Sequence, residues 1–183
     1  KINFSNDIKS SYGGSIKDVK TFKPSYSGDD RTRSFLKIQD GCDYNCTFCT
    51  IPLARGKSRS TSIKKTINIA KGISKTNTKE IVLTGVNIGD FGKGTDENFY
   101  DLIQQMDNQV DIERIRISSI EPNLLTDEII EYCFSSKKFM PHFHIPLQSG
   151  SDKMLKSMKR RYTTSLYLDR LNKIKSLDQD VCI

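Results

Sequence analysis

Residues 34–60, SFLKIQDGCDYNCTFCTIPLARGKSRS, form the stretch that decides the fold. A short apolar run, FLKI, precedes a loop that holds three of the chain's five cysteines at CxxxCxxC spacing, and a basic run follows directly. The apolar run predicts a β-strand over 35–38. The loop after it would place three thiols at the carboxyl end of that strand.

Short apolar runs alternate with amphipathic windows from residue 35 onward. The runs predict strands at 35–38, 80–85, 114–120, 142–147 and 181–183. This order predicts an α/β fold with a parallel sheet and right-handed crossovers, as an open sheet or a (βα) barrel. The helical windows between the strands contain Ile63, Ile67, Ala70 and Ile73; Phe99, Leu102, Ile103 and Met106; Ile129, Ile130 and Cys133; Met154, Leu155 and Met158; and Tyr167, Leu171 and Ile174.

The length and composition are those of one soluble globular domain. The chain has 183 residues, of which 36% are hydrophobic and 28% charged. Residues 1–33 are polar without a sustained period, so we interpret them as an irregular linker or the tail of a preceding domain, with the main domain at 34–183. No apolar run is long enough for a membrane span or a signal peptide, so we expect a cytoplasmic protein with no membrane partner.

Charge and cysteine content narrow the function classes. Lys and Arg outnumber Asp and Glu by 29 to 22, which suggests an anionic partner such as nucleic acid. The windows 50–65 and 153–161 are rich in Lys and Arg and contain no acidic residue, although a solvated basic face would give the same pattern. Five cysteines without a secretion signal disfavour a disulfide framework and favour metal or redox chemistry.

A polar or glycine-rich segment follows each of the first four predicted strands. In parallel βα folds the chemistry lies at the carboxyl ends of the strands, so these segments should converge on one pocket. They are the cysteine loop, TGVNIGDFGKG at 84–94, Ser118, Ser119 and Glu121, and Pro146, Gln148, Ser149 and Gly150.

The three clustered cysteines, Cys42, Cys46 and Cys49, allow three interpretations. A structural zinc site needs a fourth ligand, which would come from His142, His144, Cys133 or Cys182. A redox pair would use Cys46 and Cys49 and leave Cys42 idle. A 4Fe-4S cluster would take all three thiolates and leave one iron open for a substrate, which the close spacing in a loop favours.

The sequence resembles the radical S-adenosylmethionine (SAM) superfamily, whose signature is CxxxCxxC with an aromatic residue, here Phe48, before the last cysteine. Within it, the chain resembles the methylthiotransferases, and ARGKSRS with VNIGDFG is most similar to the branch that modifies threonylcarbamoyladenosine (t6A) in tRNA. The isopentenyladenosine and ribosomal-protein branches share the same core. The similar segments are LKIQDGCDYNCTFCTIPLARGKSRS, LTGVNIGDFG, RIRISSIEP and HIPLQSGSDKMLKSMKRRYT.

The resemblance implies a partial, truncated parallel (βα) barrel of the radical SAM type, with a role for particular residues. Cys42, Cys46 and Cys49 would ligate the cluster, and the backbone around Phe48 would meet the adenine of SAM. The resemblance does not identify a catalytic residue. Other residues would approach the methionyl and ribose groups of SAM: Thr84, Gly85 and Asn87 in one loop, Glu121 and Gln148.

Simpler structural roles stay open for some of these residues. Gly85 and Gly89 could only turn a loop, and Glu121 could cap the following helix. His142 and His144 should share the inner face of their strand, with Phe143 and Ile145 packed on the helices. Cys133 and Cys182 are expected in the core.

The resemblance also implies partners and missing parts. Family members carry an upstream domain with a second 4Fe-4S cluster and a downstream RNA-binding domain, so we expect a fragment that is inactive alone. The substrate would be tRNA, held in part by Arg55, Lys57 and Arg59, and a flavodoxin or ferredoxin would donate electrons. The rival hypothesis from another class is a non-catalytic, zinc-stabilised RNA-binding module.

Overall fold

A five-stranded sheet organises the chain, and the computed structural model describes residues 14–28 and 32–183. The strand order is β1-β2-β4-β5, and β3 also pairs with β2. The strands β2, β4 and β5 are parallel, while β1 and β3 are short antiparallel additions to β2. The strands span Ser25–Tyr26 (β1), Arg33–Asp40 (β2), Arg59–Ser60 (β3), Glu80–Gly85 (β4) and Arg114–Ile117 (β5).

Six α-helices accompany the sheet over the described residues. Three of them, Ile63–Ile73, Phe99–Gln109 and Asp127–Ser135, bury a face of apolar side chains in the core, which is the main source of helix stability in a folded protein. The helices span Ile51–Arg55 (α1), Ile63–Ile73 (α2), Phe99–Gln109 (α3), Asp127–Ser135 (α4), Asp152–Ser157 (α5) and Thr164–Leu177 (α6).

The core lies between the sheet and the helices. Leu36, Ile81, Leu83 and Ile115 project from the strands and are fully buried. Alternation along each strand sends the intervening side chains, such as Arg116, to the opposite face. The helices therefore cover one face of the sheet, and the other face is the inner wall of a partial (βα) barrel.

The parallel order continues beyond β5 through single bridges. Phe139 pairs with Ile115, and His144 pairs with Ser119, both in parallel orientation. Cys182 then pairs with His142, again in parallel. The predicted topology is confirmed, but the runs 142–147 and 181–183 form isolated bridges rather than continuous strands.

Most helical windows were predicted correctly. The predicted apolar faces at 63–73, 99–106 and 129–133 are buried in α2, α3 and α4. In α5 only Leu155 is buried and Met154 is half exposed. The short helix α1 and the short strands β1 and β3 were not predicted, because two to five residues are too few to show a period.

Of the N-terminal interval 1–33, the structure describes residues 14–28 and 32–33. Within the interval predicted as a linker, Ser25–Tyr26 pairs with residues 36–37 of β2, and Ile16–Asp18 form a 3-10 turn. No helix among residues 14–28 and 32–183 combines the length and apolarity that crossing a membrane requires.

Replacing Ile81 by Ala should lower the free energy of unfolding by about 2–5 kcal/mol, because it opens a cavity in the centre of the core. Leu168→Ala is the matched control, since Leu168 is 55% exposed and its loss should cost less than about 0.5 kcal/mol. Urea denaturation of both variants measures the difference. Equal destabilisation would contradict the placement of β4 at the centre.

Candidate functional site

Two loops lie side by side at the carboxyl ends of β2 and β4. The cysteine loop, residues 41–50, follows β2, and the glycine-rich loop, residues 84–94, finishes β4 and continues beyond it. Because β2 and β4 pair in parallel, with Lys37 opposite Thr84 and Gln39 opposite Gly85, the loops leave the sheet at the same edge. The convergence that the sequence predicted is therefore present for these two segments.

The start of the cysteine loop requires a glycine. Gly41 has a φ of 70°, and a Cβ there would lie 2.0 Å from the carbonyl oxygen of Lys57. This close approach lets the Cys42 N–H donate to the Gly56 carbonyl at 3.0 Å. Gly41 thus turns the chain sharply out of β2 and keeps the base of the loop closed.

Asp40 anchors the loop through charge. Its buried carboxylate pairs with Arg59 at 2.8 Å, Lys37 at 3.1 Å and Arg55 at 3.6 Å. Burial opposes ionisation of Asp40, but the Lys37 hydrogen bond, the Gly41 N–H and the charges of Lys37 and Arg55 outweigh it, so its pKa is lowered. The strand end and the basic run are thereby held together.

Gln39 joins the two loops directly. Its side chain is fully buried, and its Nε2 donates to the Gly41 carbonyl at 2.6 Å, the Asp40 carbonyl at 3.0 Å and Ser58 Oγ at 3.0 Å. Its Oε1 accepts from the N–H groups of Val86 at 3.0 Å and Asn87 at 2.7 Å. One carboxamide therefore holds the backbones of both loops.

Three further contacts reinforce this junction. Asp43 accepts the Ser58 N–H at 3.1 Å and pairs with Lys93 at 3.1 Å. Ser60 Oγ accepts the Gly92 N–H at 3.0 Å. Asp43 thus ties the cysteine loop to Lys93, and Ser60 of β3 ties the segment that follows it to Gly92.

A third segment, residues 158–162, packs on the cysteine loop after α5. The Thr47 N–H donates to the Met158 carbonyl at 3.3 Å. The Arg161 guanidinium lies 3.9 Å from the centre of the Tyr44 ring and donates to the Asp43 carbonyl at 3.2 Å. The basic window 153–161 is therefore only partly a solvated face, since Arg161 holds the loop.

Arg160 connects a cysteine to a predicted SAM contact. Its side chain is 5% exposed, its Nη1 donates to Cys46 Sγ at 3.4 Å, and its Nη2 pairs with Glu121. Burial opposes the charge of Arg160, but Glu121 outweighs it and raises the pKa of Arg160. Tyr162, beside the guanidinium, donates to the carbonyls of Pro146 and Leu147 at 2.8 Å. Glu121 accordingly has an ion-pair partner rather than a capping role.

The three thiols of the cysteine loop differ in burial. Cys46 is buried, and Cys42 and Cys49 are half-buried. Burial raises the pKa of Cys42, and the nearby Asp90, Cys46 and Cys49 raise it further. The hydrogen bond from the Tyr44 N–H lowers the pKa but does not outweigh these effects. Three thiols in one loop, with a guanidinium at one of them, fit an iron-sulfur cluster by donor chemistry.

The thiols are not gathered around a single point. Over the described ranges, no group of three or more His, Cys, Asp and Glu side chains has a metal-binding arrangement. Ligation by Cys42, Cys46 and Cys49 therefore stays a prediction.

The predicted SAM residues occupy different positions around the two loops. Phe48 is 54% exposed, Thr84 is half-buried, and Asn87 is buried with its Nδ2 donating to Asp90 at 3.0 Å. A Cβ at Gly85 would lie 2.8 Å from the Gln39 carbonyl, so close packing explains this glycine. Gln148 is exposed with a φ of 63°, a conformation that costs energy for a residue with a side chain.

The predicted nucleic-acid residues differ in exposure. Arg55 and Lys57 are exposed, whereas the side chain of Arg59 is 12% exposed. Arg59 donates to the carbonyls of Arg55 and Lys57 in addition to its pair with Asp40. Arg59 is thus committed to holding the loop, and Arg55 and Lys57 are the cations that face solvent.

The histidines and the remaining cysteines complete the predicted set. Phe143 and Ile145 pack in the core, so His142 and His144 lie on the inner face as predicted. His144 Nδ1 shares a hydrogen bond with Ser119 Oγ. Cys133 is buried, and burial raises its pKa to about 12. Cys182 is exposed, so the prediction that it lies in the core was wrong.

Sequence reasoning missed Gln39, Asp40 and Arg160 as site residues. A signal was present for two of them, because Gln39 and Asp40 are polar residues at the end of a strand, directly before the cysteines. No local signal distinguishes Arg160 from Lys159 or Arg161. Its neighbours Cys46 and Glu121 are 114 and 39 residues away in the sequence.

A family profile described as "Radical SAM superfamily" matches residues 36–183. The chain is 49% identical over 148 residues to threonylcarbamoyladenosine tRNA methylthiotransferase MtaB of Bacillus subtilis, covering 80% of this chain and 33% of that protein. It is 35% identical over 153 residues to a tRNA-2-methylthio-N(6)-dimethylallyladenosine synthase of Hydrogenobaculum, covering 84% and 35%. The chain thus spans about a third of the length of these curated relatives.

A solved structure supports the fold. The cobalamin-dependent S-adenosylmethionine radical enzyme OxsB, with aqua-cobalamin and S-adenosylmethionine bound, matches with a TM-score of 0.60 at 19% identity. The match covers 77% of this chain and 22% of OxsB. At this identity the likeness shows the partial radical SAM fold.

Replacing Asp40 by Asn should lower the free energy of unfolding at pH 7 by about 1–3 kcal/mol, because Arg59 and Lys37 lose a buried anionic partner. The pKa of Asp40 is lowered in the folded state, so its stabilisation is present above its unfolded pKa and is lost as pH falls through the folded pKa. The difference between wild type and variant should therefore shrink below about pH 4. Urea denaturation between pH 7 and pH 3 measures it.

The exposed Asp111 provides the matched control, and Asp111→Asn should change the free energy of unfolding by less than about 0.5 kcal/mol. A pH-independent difference for Asp40→Asn would show that the charge of Asp40 does not anchor the loop.

Proposed function

Because the chain belongs to the radical SAM superfamily, we propose that it is the SAM-cleaving part of a tRNA methylthiotransferase that acts on C2 of t6A beside the anticodon. The observation that carries this proposal is the cysteine loop at the carboxyl end of β2, tied by Gln39 to the glycine-rich loop. The 49% identity to a t6A methylthiotransferase supports the choice of substrate.

Separate sets of residues in this chain would bind the iron-sulfur cluster and SAM. Cys42, Cys46 and Cys49 would bind a 4Fe-4S cluster, which when bound supplies the electron that cleaves SAM to a 5'-deoxyadenosyl radical. The Phe48 backbone would meet the adenine of SAM. The remaining predicted contacts to SAM would come from Thr84, Gly85, Asn87, Glu121 and Gln148.

The electrostatics around Glu121 suit a zwitterionic ligand. Glu121 supplies a carboxylate that could accept from an ammonium group, and Arg160 supplies the adjacent guanidinium. Both charges are held in place by burial, by their mutual pair and by Tyr162 beside them. Preorganised charges of this kind bind a charged ligand without further reorganisation.

The proposal extends to parts outside this chain. By similarity to the methylthiotransferases, a second 4Fe-4S cluster in an N-terminal domain would take part in sulfur transfer. A flavodoxin or ferredoxin would provide electrons, and the cytoplasm would be the compartment. The domain boundary near residue 33, with 34–183 as the radical SAM core, belongs to the same proposal.

A second substrate has its own support, because the chain is also 35% identical to a synthase that forms 2-methylthio-N(6)-dimethylallyladenosine in tRNA. Assays of the complete enzyme with tRNA that carries either t6A or isopentenyladenosine separate the two. Methylthiolation of only the isopentenyladenosine tRNA would overturn the proposed substrate.

Anaerobic reconstitution with iron and sulfide should give a brown protein with about four irons per chain. Cys46→Ala should lose most of the iron, because one of three ligands is removed, whereas Cys133→Ala should retain it, since Cys133 lies in the core. Iron analysis and electron paramagnetic resonance measure the outcome. A colourless protein with one zinc would favour the RNA-binding alternative.

Replacing Arg55 and Lys57 together by Ala should weaken tRNA binding several-fold and reduce the slope of log affinity against log salt by about 1–2, because two phosphate contacts are lost. The charge-matched control removes two other exposed lysines together, Lys75→Ala with Lys137→Ala. Both lie near the amino ends of the strands, Lys75 shortly before β4 and Lys137 next to the bridge between Phe139 and Ile115. Filter binding at several salt concentrations measures both. Unchanged affinity and slope for the double variant would remove these residues from the proposal.

A further inference from the structure

Gln39 is placed to set the distance between the two loops. Its carboxamide forms hydrogen bonds to the backbones of both loops, and none of its surface is exposed. The residues it contacts in the glycine-rich loop, Val86 and Asn87, are 47 and 48 positions away in the sequence. Its contacts at Gly41 lie immediately before Cys42.

The chemistry of these contacts requires an amide. The Gly41 and Asp40 groups that Gln39 meets are carbonyl oxygens, which need a donor. The Val86 and Asn87 groups are N–H donors, which need an acceptor. A carboxylate could serve only the second set and an aliphatic side chain neither, so buried backbone groups would be left unpaired.

We propose that Gln39 is the positioning residue that fixes the glycine-rich loop against the cysteine loop and so prepares the SAM site for binding. This inference rests on the proposed function for its ligand. Its structural content, a hydrogen-bonded junction between the loops, is independent of any cofactor. Gln39 itself acts through Val86, Asn87 and Gly41 and contacts no cofactor in this scheme.

Hydrogen exchange on the cofactor-free chain tests the junction. In wild type, the amides of Val86 and Asn87 should be protected, and Gln39→Leu should speed their exchange about tenfold or more, because the acceptor is lost. Gln39→Glu retains acceptor oxygens and should keep most of the protection. Equal exchange at both amides in wild type and Gln39→Leu would overturn the proposal.

SAM binding to the iron-loaded chain tests the consequence. At equal iron content per chain, Gln39→Leu should bind SAM about tenfold more weakly than wild type by equilibrium dialysis, which corresponds to about 1.4 kcal/mol. Gln39→Met, which keeps the length of the side chain without the amide, replaces the Leu variant if that variant does not fold. Unchanged SAM affinity at equal iron content would overturn the proposed role.

Ser34→Ala is the matched control on the same strand. The buried Ser34 hydroxyl donates to the Ser27 carbonyl at 2.6 Å and contacts neither loop. It should leave amide exchange at Val86 and Asn87 and SAM affinity unchanged, and equal effects in both variants would show general loosening instead. If wild type binds no iron, the proposed function fails, while the exchange measurement still decides the role of Gln39.

Discussion

The parallel pairing of β2 with β4 is the constraint on which the site depends. It aligns Gln39 with Gly85, so that the cysteine loop and the glycine-rich loop leave the sheet at one edge. The absence of a Cβ at Gly85 lets the β2 backbone approach closely, and the Gln39 carboxamide then joins both loops. Functional sites of βα folds generally lie at the carboxyl ends of the parallel strands. Here the hydrogen bonds of Gln39 hold two loops together at that edge.

Ion pairs hold the cysteine loop in addition to the sheet. Two buried ion-pair groups hold the cysteine loop, one around Asp40 at its base and the other between Arg160 and Glu121 at its far side. Buried ion pairs add little net stability, because desolvation offsets attraction, but they fix the positions of the groups they join. In this site, the pair with Glu121 fixes the Arg160 guanidinium, which donates to Cys46 Sγ at 3.4 Å.

The basic windows illustrate how the same composition serves different roles. The side chain of Arg55 is 52% exposed although it pairs with Asp40 at 3.6 Å, and Lys57 is exposed. Arg59, two residues further on, is enclosed by Asp40 and by carbonyl groups of its own loop. Arg160 and Arg161 contact the cysteine loop, although the sequence places them 114 or more residues away from it. A count of basic residues therefore overstates the charge available for nucleic acid.

The sequence alone determined the order of the parallel strands β2, β4 and β5 and of the longer helices, the buried faces of α2, α3 and α4, and the spacing of Cys42, Cys46 and Cys49. Each of these depends on neighbouring residues and a local period. Motif resemblance added the superfamily. Only the tertiary structure decided that Gln39 joins two loops, that Arg59 is enclosed and that Arg160 lies between Cys46 and Glu121. The partners of a buried polar side chain come from distant segments, and local sequence patterns do not encode which segments meet.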